Sequence, residues 1–170
     1  MTTLVKIISG GQTGADIAAI DAAIASNFPY GGTLPKGRKN EYGIVPIDYE
    51  CFVEDTVPGY PHRTELNIQN SDGTLVFSKG IPTGGTKLTV WLAEKNNKPC
   101  VVISMNKDTS CGFGLGDYPI ELSTDIIVSK FISVNKIATL NVAGPRESKT
   151  PGTYDFVYAA ISTFLLSIKP

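Results

Sequence analysis

The chain has 170 residues, 42% hydrophobic and 18% charged, with 15 Lys and Arg against 16 Asp and Glu. That composition suits one globular domain over residues 1–170, and the near-neutral balance argues against a general nucleic-acid or membrane-surface binder. The single histidine (His62) argues against a His-rich metal site; Cys51, Cys100 and Cys111 form no CxxC, and neither a signal segment nor a membrane-length apolar run is present, so a reduced, cytoplasmic setting is expected.

Val5, Ile7 and Ile8 form a short β-branched run that predicts a buried strand. Ser9-Gly10-Gly11-Gln12-Thr13-Gly14 follows, then an Ala- and Ile-rich helix over about 15–25 whose apolar surface predicts burial on more than one side. Strand, glycine loop and helix start together suit an anion, because glycines admit it to the backbone and the helix start offers free N–H groups and a positive dipole end. The loop is a poor dinucleotide fingerprint: Ser9 takes the place of its first glycine, and the ribose-binding acid expected downstream is replaced by Lys36, Arg38 and Lys39. Asp16 falls in the first helical turn, where a carboxylate is favoured by the dipole or braces the loop.

Tyr30–Thr33 reads as a second strand, and Lys36 and Arg38 behind it are candidate anion contacts. Residues 43–61, with Pro46, Pro58 and Pro61, read as a long irregular excursion of the kind that forms lids. A short helix over 63–71 carries Arg63, Glu65 and Asn67, whose ordinary role is capping and solvent exposure. Residues 73–78 are a third strand. Pro82-Thr83-Gly84-Gly85-Thr86 then opens a helix to about 93–95, with Thr83 or Thr86 as its cap. A fourth strand over 100–104 holds Cys100 as a small hydrophobe. An irregular segment over 106–116 contains Cys111, read as an ordinary thiol, and an amphipathic helix over 120–134 presents Leu122, Ile126, Ile127 and Phe131. A fifth strand, 137–142, leads into Ala143-Gly144-Pro145-Arg146-Glu147-Ser148, and Thr150-Pro151 reads as cap and first residue of a last helix to about 166.

Strands alternating with helices predict a three-layer α/β fold, a mostly parallel sheet of five or more strands with helices on both faces. The loops after the first, third and fifth strands then share one sheet edge and bring Gly, Thr, Asn and Arg residues together there. The inferred activity is binding of a phosphorylated small molecule. No P-loop or G-x-S-x-G elbow is present, so nothing demands catalysis; Asp16, Glu65 and Glu147 are the carboxylates available for acid–base work.

The motifs Ile-Ser-Gly-Gly-Gln-Thr-Gly-Ala-Asp at 8–16, Gly-Gly-Thr-Leu-Pro-Lys-Gly-Arg at 31–38 and Arg-Thr-Glu-Leu-Asn-Ile at 63–68 resemble the molybdenum carrier family. So do Asp72, Thr-Gly-Gly-Thr at 83–86 and Asn-Val-Ala-Gly-Pro-Arg-Glu-Ser at 141–148, and the resemblance spans nearly the whole chain. It implies a Rossmann-like fold, related to the LOG phosphoribohydrolases and the lysine decarboxylase-like proteins. It further implies a homo-oligomer, a dimer or tetramer, that holds molybdenum cofactor and hands it to molybdoenzyme acceptors. The ligand-binding set is then Gly10, Gly11, Gln12, Thr13, Gly14, Lys36, Arg38, Arg63, Thr83, Gly84, Gly85, Thr86, Asn141, Gly144 and Arg146, with no metal ligand identified. Two alternatives stand beside it, a nucleotide-binding sensor module and a nucleotide phosphoribohydrolase. The second is disfavoured because Thr89 takes the place of the catalytic glutamate of the LOG motif P-G-G-x-G-T-x-x-E.

Overall fold

The computed structural model describes residues 4–106 and 123–168. In chain order they form β1 (Lys6–Ile8), α1 (Ala15–Ala25), β2 (Tyr30–Leu34), β3 (Lys39–Asn40), β4 (Gly43–Ile44), β5 (Phe52–Glu54) and α2 (Tyr60–Gln69). These are followed by β6 (Gly73–Ser78), α3 (Gly84–Lys95), β7 (Cys100–Ser104), α4 (Thr124–Asn135), β8 (Thr139–Ala143) and α5 (Thr153–Ser167). Six strands make one parallel sheet in the order β5-β2-β1-β8-β6-β7, and β3 and β4 form a separate antiparallel hairpin. Helices α1, α4 and α5 pack together, and α2 packs with α3. Crossovers of one hand require the helix from β1 to β2 and the helix from β6 to β7, which run in opposite directions along the sheet, to lie on opposite faces. The chain is thus a three-layer, Rossmann-like α/β fold.

The core follows from side-chain size. Ala15, Ala18, Ala19, Ala22 and Ala23 are buried on α1 and let it approach both the sheet and α5 closely. Phe77, Phe131 and Phe164 fill the larger gaps, each contributing on the order of 1.5–3 kcal/mol by leaving water. The first and last strands are hydrogen-bonded neighbours, Ile7 beside Leu140 and Ile8 beside Asn141. The C-terminal ends of β1, β8 and β6 therefore emerge side by side.

Several boundaries differ from those read in the sequence. Val5 lies outside the first strand and is half exposed. The excursion over 43–61 is not irregular throughout: it holds β4, the edge strand β5 paired with β2, and the start of α2. The last helix begins at Thr153, because the Glu147 carboxylate accepts the N–H groups of Gly152 and Tyr154 and so caps it in place of Thr150. On α4 the buried face is Ile127, Val128, Phe131 and Ile132, with Ile126 turned outward. Cys111 and the start expected for that helix lie outside the described residues.

Gly14 ties this scaffold to the site. It sits at φ 74°, and a Cβ there would come within 2.4 Å of the Pro145 carbonyl oxygen and 2.8 Å of the Glu147 nitrogen. Gly14→Ala is therefore expected to cost at least about 1–2 kcal/mol, lowering the thermal midpoint by several degrees in calorimetry.

Candidate functional site

At the C-terminal edge of the sheet, where the crossovers leave β1 and β6 for opposite faces, lies a cleft of about 340 Å³. Such a divergence opens a crevice in any parallel sheet of this kind. Arg63, Lys79, Arg146 and Lys149 line it, with Asp16 as its one carboxylate among the described residues. In a chain of near-zero net charge this is a local concentration of positive charge.

The two glycine loops differ in what their amides do. In the β1–α1 loop they are already used. The Gly11 N–H donates to Ser9 Oγ at 3.2 Å, that of Gln12 to Asp16 Oδ2 at 3.3 Å, that of Thr13 to Gln12 Oε1 at 3.0 Å, and that of Ala15 to the Pro145 carbonyl at 3.4 Å. Asp16 thus braces the loop from within. Burial raises its carboxyl to about 6, against the opposing pull of Arg63 and of the Gln12, Gly10 and Gly144 N–H groups. At the start of α3 the N–H groups of Gly84, Gly85 and Thr86 have no hydrogen-bond partner among the described residues. Thr83 holds the cap position in extended conformation but its side chain makes no cap bond, and a Cβ on Gly85 would meet only open space. Thr86 does not cap the helix either. Lys149 reaches this helix end, its Nζ 3.5 Å from where a Cβ on Gly84 would lie.

Arg63 is not a solvated cap. It is 8% exposed, its Nη1 lies 3.5 Å from Asp16 Oδ2, and its buried Nε has no partner. Gly10 makes this placement possible, since a Cβ there would fall 1.6 Å from Arg63 Nη1. Asn67, also buried, clamps α2 to β2: its Oδ1 accepts the Thr33 N–H at 2.7 Å and its Nδ2 donates to the Thr33 carbonyl at 3.0 Å. Two guanidinium groups approach the Tyr60 ring, Arg63 at 5.8 Å and Arg146 at 5.6 Å from its centroid.

Of the residues singled out in the sequence, Gly10, Gln12, Asp16, Arg63, Thr83, Gly85, Thr86, Asn141, Gly144 and Arg146 line the cleft. Gly84 is at its rim by position. Gly11 packs under Leu34 instead. Thr13, Gly14 and Glu147 face a second, largely apolar groove beneath the β3–β4 hairpin. Lys36 is exposed and outside the cleft. Arg38 braces the excursion, donating from Nε to the Val45 carbonyl at 3.2 Å and from Nη2 to the Pro46 carbonyl at 2.8 Å. Glu65 is held by Lys95 and Asn96, away from the cleft. Thr89 donates its hydroxyl to the Gly85 carbonyl at 3.0 Å. Lys79, Lys149 and Tyr60 escaped the sequence reading, although Lys79 directly follows β6 and Lys149 shares a loop with Arg146.

The Asp16 shift has a consequence for stability. A carboxyl whose folded-state value lies above its unfolded value stabilises the fold at low pH and loses that contribution as pH rises through the folded value. The stability of the native protein relative to Asp16→Asn is therefore expected to fall between about pH 4 and pH 6 and to level off above. The change is about 3 kcal/mol at most, and urea unfolding of both proteins across that range measures it.

The whole-chain comparisons agree with this fold. No curated protein matches the chain significantly. Among solved structures it is similar to one from Syntrophus aciditrophicus SB described as a "Putative molybdenum carrier protein", at 40% identity, a TM-score of 0.82 and 95% coverage of both chains. Residues 7–165 match a family model described as the circularly permutated YpsA SLOG family, and the pairing of first and last strands at the sheet centre is compatible with such a permutation. The chain belongs to the circularly permutated YpsA SLOG family.

Proposed function

We propose that this protein binds and carries a small molecule ending in a phosphate, of the molybdenum-cofactor type. Free amides at the start of α3, facing Arg146, Lys149 and Lys79, carry this reading. A phosphate there gains the helix dipole, unpaired N–H donors and charge-assisted bonds together. The description of the Syntrophus aciditrophicus relative supports a carrier over other phosphate binders. The cleft volume lies within the range of small-molecule sites, and the Tyr60 ring with its two guanidinium neighbours offers a flat wall to a planar pterin.

Among the described residues no group of three or more His, Cys, Asp or Glu could hold a metal ion. The residues present therefore fit the phosphate and the ring of such a ligand rather than its metal. Exposed Tyr42, Ile44 and Ile47 on and beside the β3–β4 hairpin support a second copy of the chain as cover for an oxidation-sensitive cargo. Carriage without chemistry is consistent with the cleft's carboxylates. Thr89 supplies none, Glu65 and Glu147 are engaged elsewhere, and Asp16 is committed to the loop.

Native mass spectrometry of protein purified without oxygen from a host that makes the cofactor tests this. The expected result is a co-purifying pterin phosphate. A nucleotide in its place would favour the sensor reading, which uses the same phosphate subsite. In calorimetric titrations with the pterin phosphate released from that sample, Arg146→Ala and Lys149→Ala are each expected to weaken binding about tenfold, or about 1.4 kcal/mol. Lys36→Ala is expected to leave binding unchanged.

A further inference from the structure

Asp16 occupies the place that an anion would take at the start of α1. The positive helix end and the loop amides act on the protein's own carboxylate. On its other side that carboxylate meets Arg63, at 3.5 Å, a separation long for a charge-assisted hydrogen bond, which favours about 2.7–2.9 Å. Arg63 has nothing better among the described residues. Its side chain is nine-tenths buried, it lines the cleft, and its Nε is without a partner. Buried polar groups in native structures are overwhelmingly bonded, because leaving one unpaired is costly. A guanidinium held this way, in a cleft rich in cations, is open to an acceptor beyond the described residues.

We infer that Arg63 and Asp16 set the specificity of the cleft for ligands carrying a second anionic group beyond the one at α3, and that such a ligand takes Arg63 from Asp16 with proton uptake by that carboxylate. The inference rests on the anion-binding reading above. The proton comes from solvent and ends on the Asp16 carboxylate; no bond of the ligand changes. The reason is electrostatic. The incoming anion removes Asp16's one cationic partner and brings a like charge close, and both disfavour the ionised carboxylate.

The surroundings leave Asp16 as the responsive group. From α2 and the segment before it, Tyr60 and Asp55 face Arg63. From the β8–α5 loop come Arg146 and Lys149, and from the end of β6 comes Lys79. Arg146 repels Arg63, which weakens the hold of Asp16 alone. Glu41 and Glu147 lie behind the glycine loop and are held by hydrogen bonds of their own. Burial already brings Asp16 to about 6, so a modest further push moves its proton equilibrium across neutrality.

The test uses methanedisulfonate, two strongly acidic anionic groups that do not titrate near neutrality, with sulfate as the single-group comparison. Affinity is measured by calorimetry from about pH 5.5 to about pH 8, in buffers of unlike ionisation enthalpy so that proton uptake is read directly. Methanedisulfonate is expected to bind about tenfold more weakly at the upper end, one pKa unit of coupling being one factor of ten. Uptake of a fraction of a proton is expected near neutral pH, with a smaller effect for sulfate. Asp16→Asn is expected to bind with a flat profile, at pH 8 about as tightly as the native protein at pH 5.5. His62 is common to both proteins, so their difference isolates Asp16. The native protein's proton uptake stands as evidence even where the variant folds poorly. Binding that is independent of pH and takes up no proton overturns the inference and leaves the anion site standing. Binding of sulfate but not of methanedisulfonate overturns the inference alone, and failure of both probes to bind at any pH overturns the anion site as well.

Discussion

A single buried carboxylate organises the functional end of this molecule. Asp16 gathers the amides of the β1–α1 loop, and Arg63 from α2 lies against it over a glycine that leaves room for nothing else. The loop that looks most like an anion cradle is consequently closed by the protein's own charge. Among the described residues the loop before α3 has no such internal anion, and its residues line the cleft. Two stretches of similar composition thus differ in whether a carboxylate of the chain occupies the helix start.

The sheet supplies the frame. Because β1, β8 and β6 are adjacent and parallel, three loops distant in sequence meet at one edge. The hairpin holds them from behind. Glu41 accepts hydrogen bonds from Thr13 and Ser148, and its own N–H donates to Gln12 Oε1 at 2.9 Å. Burial opposes the charge on Glu41, yet those bonds from Ser148 and Thr13 hold its carboxyl below the usual range. Glu147 then fixes the start of α5. Charged residues behind the loop are satisfied internally, and cations in front of it line the cleft, a division that suits a rigid receptor for an anion.

The strand–glycine–helix units were legible because apolar runs, glycines and helix periodicity are local signals, and β6, β7 and α1 fall where those signals place them. Strand β5 was not legible, since three residues ending in Val53 and Glu54 on an edge carry too little pattern. The burial of Arg63 was not legible for a different reason. A polar residue on a short helix reads as solvated, and its burial depends on Gly10, far away in the chain. Lys36 and Arg38 misled by clustering: cations after a strand suggest a ligand, but Arg38 points its donors at the carbonyls of Val45 and Pro46. Of the cations that line the cleft, Lys79 and Lys149 stand singly beside a strand end and in a loop, where only the assembled sheet edge gives them a common target.

The central claim is that the anion site belongs to α3 and not to α1. A crystal of the protein soaked in selenate, a tetrahedral dianion located by its anomalous scattering, tests it most directly. The account predicts a peak within hydrogen-bonding distance of the Gly85 and Thr86 N–H groups, close to Lys149 and Arg146. A peak among the amides of Gly11 to Gly14, with Asp16 displaced from the loop, would contradict it.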